Sequence, residues 1–203
     1  MLKLLSKLLG RDLTAPREPT IEEDESVSDA QIREEFFSVS KEVKQALKRF
    51  IALITVQLGA VESQRLIAAV MSNLEPGDTP SEAIQNGLLD DGQRRGKWLL
   101  IQVDWNAVEE VEWQANELLT VAGITETWHL QGETEMTVLR ALMQFSAWVK
   151  PRGLSLLHLD LGHDAYYAFL VLAEKSEEIR RAAEEACLKV QVSDAFEGEH
   201  ARA

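Results

Sequence analysis

Four ligand-type side chains fall within one seven-residue stretch: His158, Asp160, His163 and Asp164. On a strand, His158 and Asp160 share a face, and His163 and Asp164 occupy the turn that follows. Two imidazoles and two carboxylates so placed have the chemistry to bind zinc, manganese or iron. Asp104, at the carboxyl end of a neighbouring strand, is a further donor. A metal-dependent enzyme is therefore the alternative reading of this chain. The spacing H-x-D-x-x-H-D matches no mechanistically established metal pattern, however. The plainer expectation is that His163 and Asp164 are turn residues and that His158 and Asp160 lie on a half-exposed sheet face. Asp104 is likewise expected to bond nearby backbone amides between a strand and a helix.

Other chemistries find less support. Cys187 follows a helix with no nearby histidine in the sequence, and no serine lies in G-x-S-x-G or S-x-x-K context. The run Gly92-Gln93-Arg94-Arg95-Gly96-Lys97 precedes a strand, whereas a phosphate cradle follows one, so it reads as a connector. No cofactor is expected.

The least expected single residue is Trp113. Its helix buries the side holding Val111 and Ala115, and Trp113 points roughly the other way, among Glu109, Glu110 and Glu117. A tryptophan ringed by acids suits a basic protein partner, because aromatic anchors dominate interfaces and cations favour aromatic faces. The competing expectation is that the N-terminal helical region covers it. Trp98, Trp105, Trp128 and Trp148 read as core or core-edge residues, and Tyr166 and Tyr167 as occupants of opposite strand faces.

Periodicity places these residues on elements. Residues 1–9, MLKLLSKLL, form a short basic amphipathic helix, for which membrane-surface contact is conceivable but not favoured. An acidic, proline-containing linker runs to residue 27. A helical region over 28–92 follows: a long helix capped at Ser28 and running to Leu58, a second over Val61–Leu74, and a third opened by Thr79-Pro80-Ser81-Glu82. From Trp98 to Trp105 the apolar run reads as a central strand, and Asn106 as the cap of the Trp113 helix, with Glu109 in the box position. Ile124–Leu130 reads as a second strand parallel to the first. A helix over Thr134–Val149, a hairpin of Leu154–Leu161 and Ala165–Ala173, a helix from Ser176 and an edge strand over Leu188–Val192 complete an α/β domain at 97–193. Residues 194–203 read as a tail.

Three short stretches, Val103-Asp104-Trp105, Trp148 with Pro151-Arg152-Gly153-Leu154, and Leu159-Asp160 with Asp164-Ala165-Tyr166, carry a resemblance. Over about Trp98 to Val192 the chain resembles a family of uncharacterised bacterial domains. That resemblance implies no established activity and assigns no functional residue.

Composition bounds the rest. A formal net charge of -13 repels phosphate backbones, so nucleic acid is excluded as an expected partner. A single cysteine permits no intrachain disulfide, which fits a reducing cytoplasm. The longest apolar run, Phe50 to Val56, is far short of the roughly 20 residues that span a bilayer. The expectation is an α+β or α/β protein, with helices packed on a mixed sheet of about four to five strands. Its expected role is non-enzymatic binding of a basic partner, a toxin-neutralising immunity protein being one possible form.

Overall fold

The structure is a computed structural model that describes residues 38–90, 93, 97–132 and 136–200. The basic segment 1–9, the acidic linker and the Ser28 cap lie outside the described residues.

Local chemistry sets the helical region. Ser40 caps α1 (Lys41–Thr55), its hydroxyl accepting the Val43 N–H at 3.3 Å. The long helix expected from Ser28 therefore does not run through this point. Gly59, at φ 84°, both closes the turn after α1 and opens α2 (Ala60–Ser72), a backbone conformation that disfavours side-chain-bearing residues. Thr79 and Glu82 form the expected capping box ahead of α3 (Pro80–Ile84). That helix passes into a π-helical turn over Gln85–Asp90. There Gly87 lets the turn lie directly on α2: a Cβ at this position would sit 2.6 Å from the Val70 backbone.

Among the described residues the sheet has four strands, β1 (Ile101–Asp104), β2 (Leu154–Asp160), β3 (Ala165–Leu172) and β4 (Lys189–Val192), in the order β1-β3-β2-β4. Every pairing is antiparallel, so the sheet is not mixed and the fold is α+β. The hairpin of β2 and β3 and the edge strand β4 follow the sequence expectation. The first strand does not, because β1 is an edge rather than a central strand.

Alternation along β2 and β3 feeds two cores. Leu157, Leu159, Tyr167, Phe169 and Val171 face α1, α2, α3 and α6 (Ser176–Glu185), where Phe50 meets Phe169 edge-on. Leu154, Leu156, Ala168 and Leu170 face α4 (Glu109–Val121) and α5 (Val138–Val149). A last helix, α7 (Ser193–His200), forms where a tail was expected, because Phe196 is buried against the sheet.

The segment 124–130 is not a strand, and no parallel β-α-β unit forms. The Asn116 side-chain amide takes the place of a neighbouring strand, accepting the Trp128 N–H at 2.8 Å and donating to its carbonyl at 2.9 Å. Glu112 accepts the Leu130 N–H at 2.9 Å. Arg152, just after α5, also pins the same segment. Its guanidinium ion-pairs with Glu126 at 2.9 Å and lies 3.4 Å from the centre of the Trp148 ring. The Trp148-Arg152 stretch is thus a structural clamp.

Side-chain amides serve the exposed backbone elsewhere too. Gln114 accepts the Gln102 N–H at 2.7 Å and donates to its carbonyl at 2.9 Å, which seals the outer edge of β1. Gln93, in the expected connector, accepts the N–H groups of Leu99 and Leu100 and donates to the Leu100 carbonyl. This is why residues 98–100 precede the strand rather than belong to it.

Candidate functional site

The fold separates His158 from the other three members of the histidine and aspartate cluster. His158 is buried on the face toward α7, where its ring stacks on Phe196 at 4.0 Å. Asp160 turns to the sheet edge: one carboxylate oxygen accepts the Gly162 N–H at 2.9 Å and the other pairs with Lys189 at 3.2 Å. His163 and Asp164 are exposed at the hairpin tip. Asp104 does what its position suggests, accepting the Asn106 N–H at 3.3 Å. Asn106 does not cap α4, which begins at Glu109 with no side-chain cap.

Among the described residues no three His, Cys, Asp or Glu side chains are gathered to hold a metal ion. Zinc or manganese added to the purified protein is therefore expected to leave its melting temperature unchanged. A stabilisation abolished by His158→Ala and His163→Ala would overturn that expectation, since a ligand that binds only the native state must raise the midpoint.

Asp160, His163 and Asp164 do line an open cleft of about 350 Å³ together with Trp105, Tyr166 and His200. Trp105 is 64 % exposed there, not a core residue.

His158 and Ser193 invite a second test, because the imidazole Nε2 lies 3.0 Å from the Ser193 hydroxyl, as in a nucleophile and its base. The hydrogen-bond network argues otherwise. Ser193 donates to the Leu156 carbonyl at 3.2 Å, so it accepts from His158 Nε2–H, and the lone pair sits on Nδ1, which is buried without a partner. A general base needs that lone pair on Nε2. Burial, assisted by the nearby His200, also pushes the His158 pKa down to about 3, so the ring is a poor proton acceptor at neutral pH.

The second place where polar groups converge is the outer side of α4. The helix buries Val111, Gln114, Ala115, Leu118 and Leu119, which leaves Trp113 at the margin, 44 % exposed. Its ring packs edge-on against Trp98 at 5.1 Å, and its indole N–H donates to the Glu110 carboxylate. Trp98 thus has a role that periodicity did not reveal: it props Trp113 from beneath. No described N-terminal helix covers it in the way the competing expectation required.

Trp113, Glu109, Glu112 and Glu117 line an open cleft of about 480 Å³ with Val108 and Leu130. Glu109 and Glu117 stand where the helical spacing put them, and Glu110 serves as the brace of the indole. Glu112 is an addition, traceable in retrospect to its i+3 position after Glu109. The Leu130 N–H, and after it His129 at 3.0 Å, hold its carboxyl below the usual carboxylate range. It stays anionic through neutral and mildly acidic pH.

No described helix is long and apolar enough to cross a membrane. Comparisons with curated proteins and with solved structures find no match. The family model for a domain of unknown function, DUF6630, matches residues 39–193, from just before α1 through β4. With α1 to α6 and the whole antiparallel sheet inside that match, the chain belongs to the DUF6630 family.

Proposed function

We propose that this protein is a non-enzymatic binding module that receives a cationic segment of a protein partner in the cleft along α4. The observation that carries this reading is Trp113, a half-exposed indole on a rigid helix, with its ring braced by Trp98 and Glu110 and its open side bordered by carboxylates. A lysine or arginine side chain entering there meets an aromatic face and anionic oxygens together, the combination that favours a partly desolvated cation. Bracing matters because an ordered anchor loses little conformational entropy on binding. The overall charge of -13 supports the same choice of partner by steering basic molecules toward the surface.

Trp113→Ala separates binding from folding. A partner held by the native protein is expected to be bound about 30-fold or more weakly by the variant, the hot-spot range of about 2 kcal/mol. The variant's own stability should fall by only about 1–2 kcal/mol, since part of the ring is already in water. Glu109→Lys with Glu117→Lys should act on the association rate and its salt dependence, as rim charges do. Quantitative capture from native lysate, followed by titration of the recovered protein against each variant, makes the comparison. A partner retained equally by Trp113→Ala, or one that is not basic, would sink the proposal.

A further inference from the structure

α7 rests on the sheet and beside α5, held by one aromatic stack and a few polar ties. Phe196 lies between two imidazoles, parallel to His158 with centroids 4.0 Å apart and tilted against His200 at the same distance, while Tyr166 meets it edge-on. The polar ties are Ser193, bonded to His158 and to the Leu156 carbonyl, and, at the far end, Glu199 bonded to Lys189 at 2.6 Å and to Gln191 at 2.8 Å. The helix also divides two clefts. Phe196 and His200 wall the hairpin cleft, and Ser193 and Asp194 wall another of about 270 Å³ beside Lys150 and Leu156. The family match ends at Ser193, so the sheet face belongs to the matched domain and the rest of the helix lies beyond it.

We infer that α7 is an acid-released latch, a short helix that closes over His158 at neutral pH and lifts from the sheet on acidification, joining the two clefts into one groove. The inference is independent of the role proposed for the α4 cleft.

The closed position has no place for a proton on His158. Its Nε2 already donates to Ser193, and Nδ1, where the proton would go, is buried with no acceptor. Asp160 of β2 and Glu199 of α7 share Lys189 of β4, and neither is bonded to the His158 ring. The other titratable groups around α7 are Tyr166 of β3, Lys150 after α5, and His200 and Asp194 of α7 itself. Of these, His200 repels a charge on His158.

The sign follows from linkage. With the helix down, His158 stays neutral until about pH 3. With the helix lifted and the ring in water, it takes up a proton near the ordinary histidine value of about 6.5. Above that value pH has no effect on the latch. Below it each unit of acidification favours the lifted form about tenfold, so from pH 7.5 to 5.0 its population rises roughly 30-fold.

Amide hydrogen exchange on the full chain, corrected for the intrinsic pH dependence, reads this directly. Protection of residues 194–200 is expected to fall roughly 30-fold between pH 7.5 and 5.0, while that of α1 holds. In His158→Phe, which keeps a stacked ring but cannot titrate, the fall should vanish. If that variant does not fold, the wild-type imidazole carries the test by NMR: His158 should titrate in step with the loss of α7 protection. Protection of α7 that does not change with pH, that falls together with α1, or that falls equally in folded His158→Phe would overturn the inference.

Discussion

Trp128→Ala is expected to destabilise the protein by about 3–5 kcal/mol, the range for a buried aromatic truncated to alanine. The ring is 3 % exposed and packs 5.1 Å from Phe145, in the core between the sheet and helices α4 and α5. The cost is high because, among the described residues, no strand pairs with residues 124–130. They are held by the Trp128 ring and by side chains that substitute for a strand, chiefly Asn116. Asn116→Leu should therefore cost about 2–4 kcal/mol on its own, since the Trp128 N–H and carbonyl would lose both partners in a half-buried position. A urea titration of each variant, at unchanged m value, gives the figures. A loss below about 1 kcal/mol in Trp128→Ala would mean that the segment is held by something other than its own packing.

Phe169→Ala is expected to cost a similar amount, about 3–5 kcal/mol, for a different reason. Phe169 is fully buried on β3, between β1 and β2, and meets Phe50 of α1 edge-on at 6.0 Å. It belongs to the core opposite the one that holds Trp128. Because β3 contributes side chains to both cores, removal of either aromatic should shift one common cooperative transition. In a protein of this size the loss corresponds to a fall in melting temperature on the order of 10 °C. Two separate transitions in either variant would show that the helical layers unfold independently, and the shared strand would then not couple them.

The two proposals draw on the same property of the fold, a sheet with different coverings on its two faces. α1, α2, α3 and α6 close one face over a continuous apolar core. On the other face α4 and α5 leave the end near His158 to α7 alone, and α4 leaves its outer side to solvent. A candidate binding cleft and a candidate latch thus occupy the less completely covered side, where local opening costs least.

What could be read from the residues was local. Thr79 and Glu82 announce a helix start because both partners of the capping box lie within one turn. The β2 and β3 hairpin is legible because two apolar runs flank a short turn containing Gly162. Trp113 stood out because helical phase alone sets it at odds with Val111 and Ala115. Glu112 escaped notice because its importance comes from Leu130 and His129, distant in the chain.

The amino-acid sequence by itself determined where several elements begin and end, which of their faces are apolar, and that the chain is acidic. Only the tertiary structure decided which element meets which. Periodicity reports that Ile101 and Val103 face a core, and it is silent on whether β1 lies at the centre or the edge of the sheet, because Gln114 can satisfy the outward backbone groups as a strand would. Likewise, Ile124–Leu130 has the composition of a strand but bonds to Asn116 and Glu112 instead. The same holds for His158 and Asp160. They share a strand face, yet Phe196 draws one into a stack and Lys189 draws the other to the sheet edge, because long-range partners, not spacing along the chain, set where a side chain spends its polar atoms.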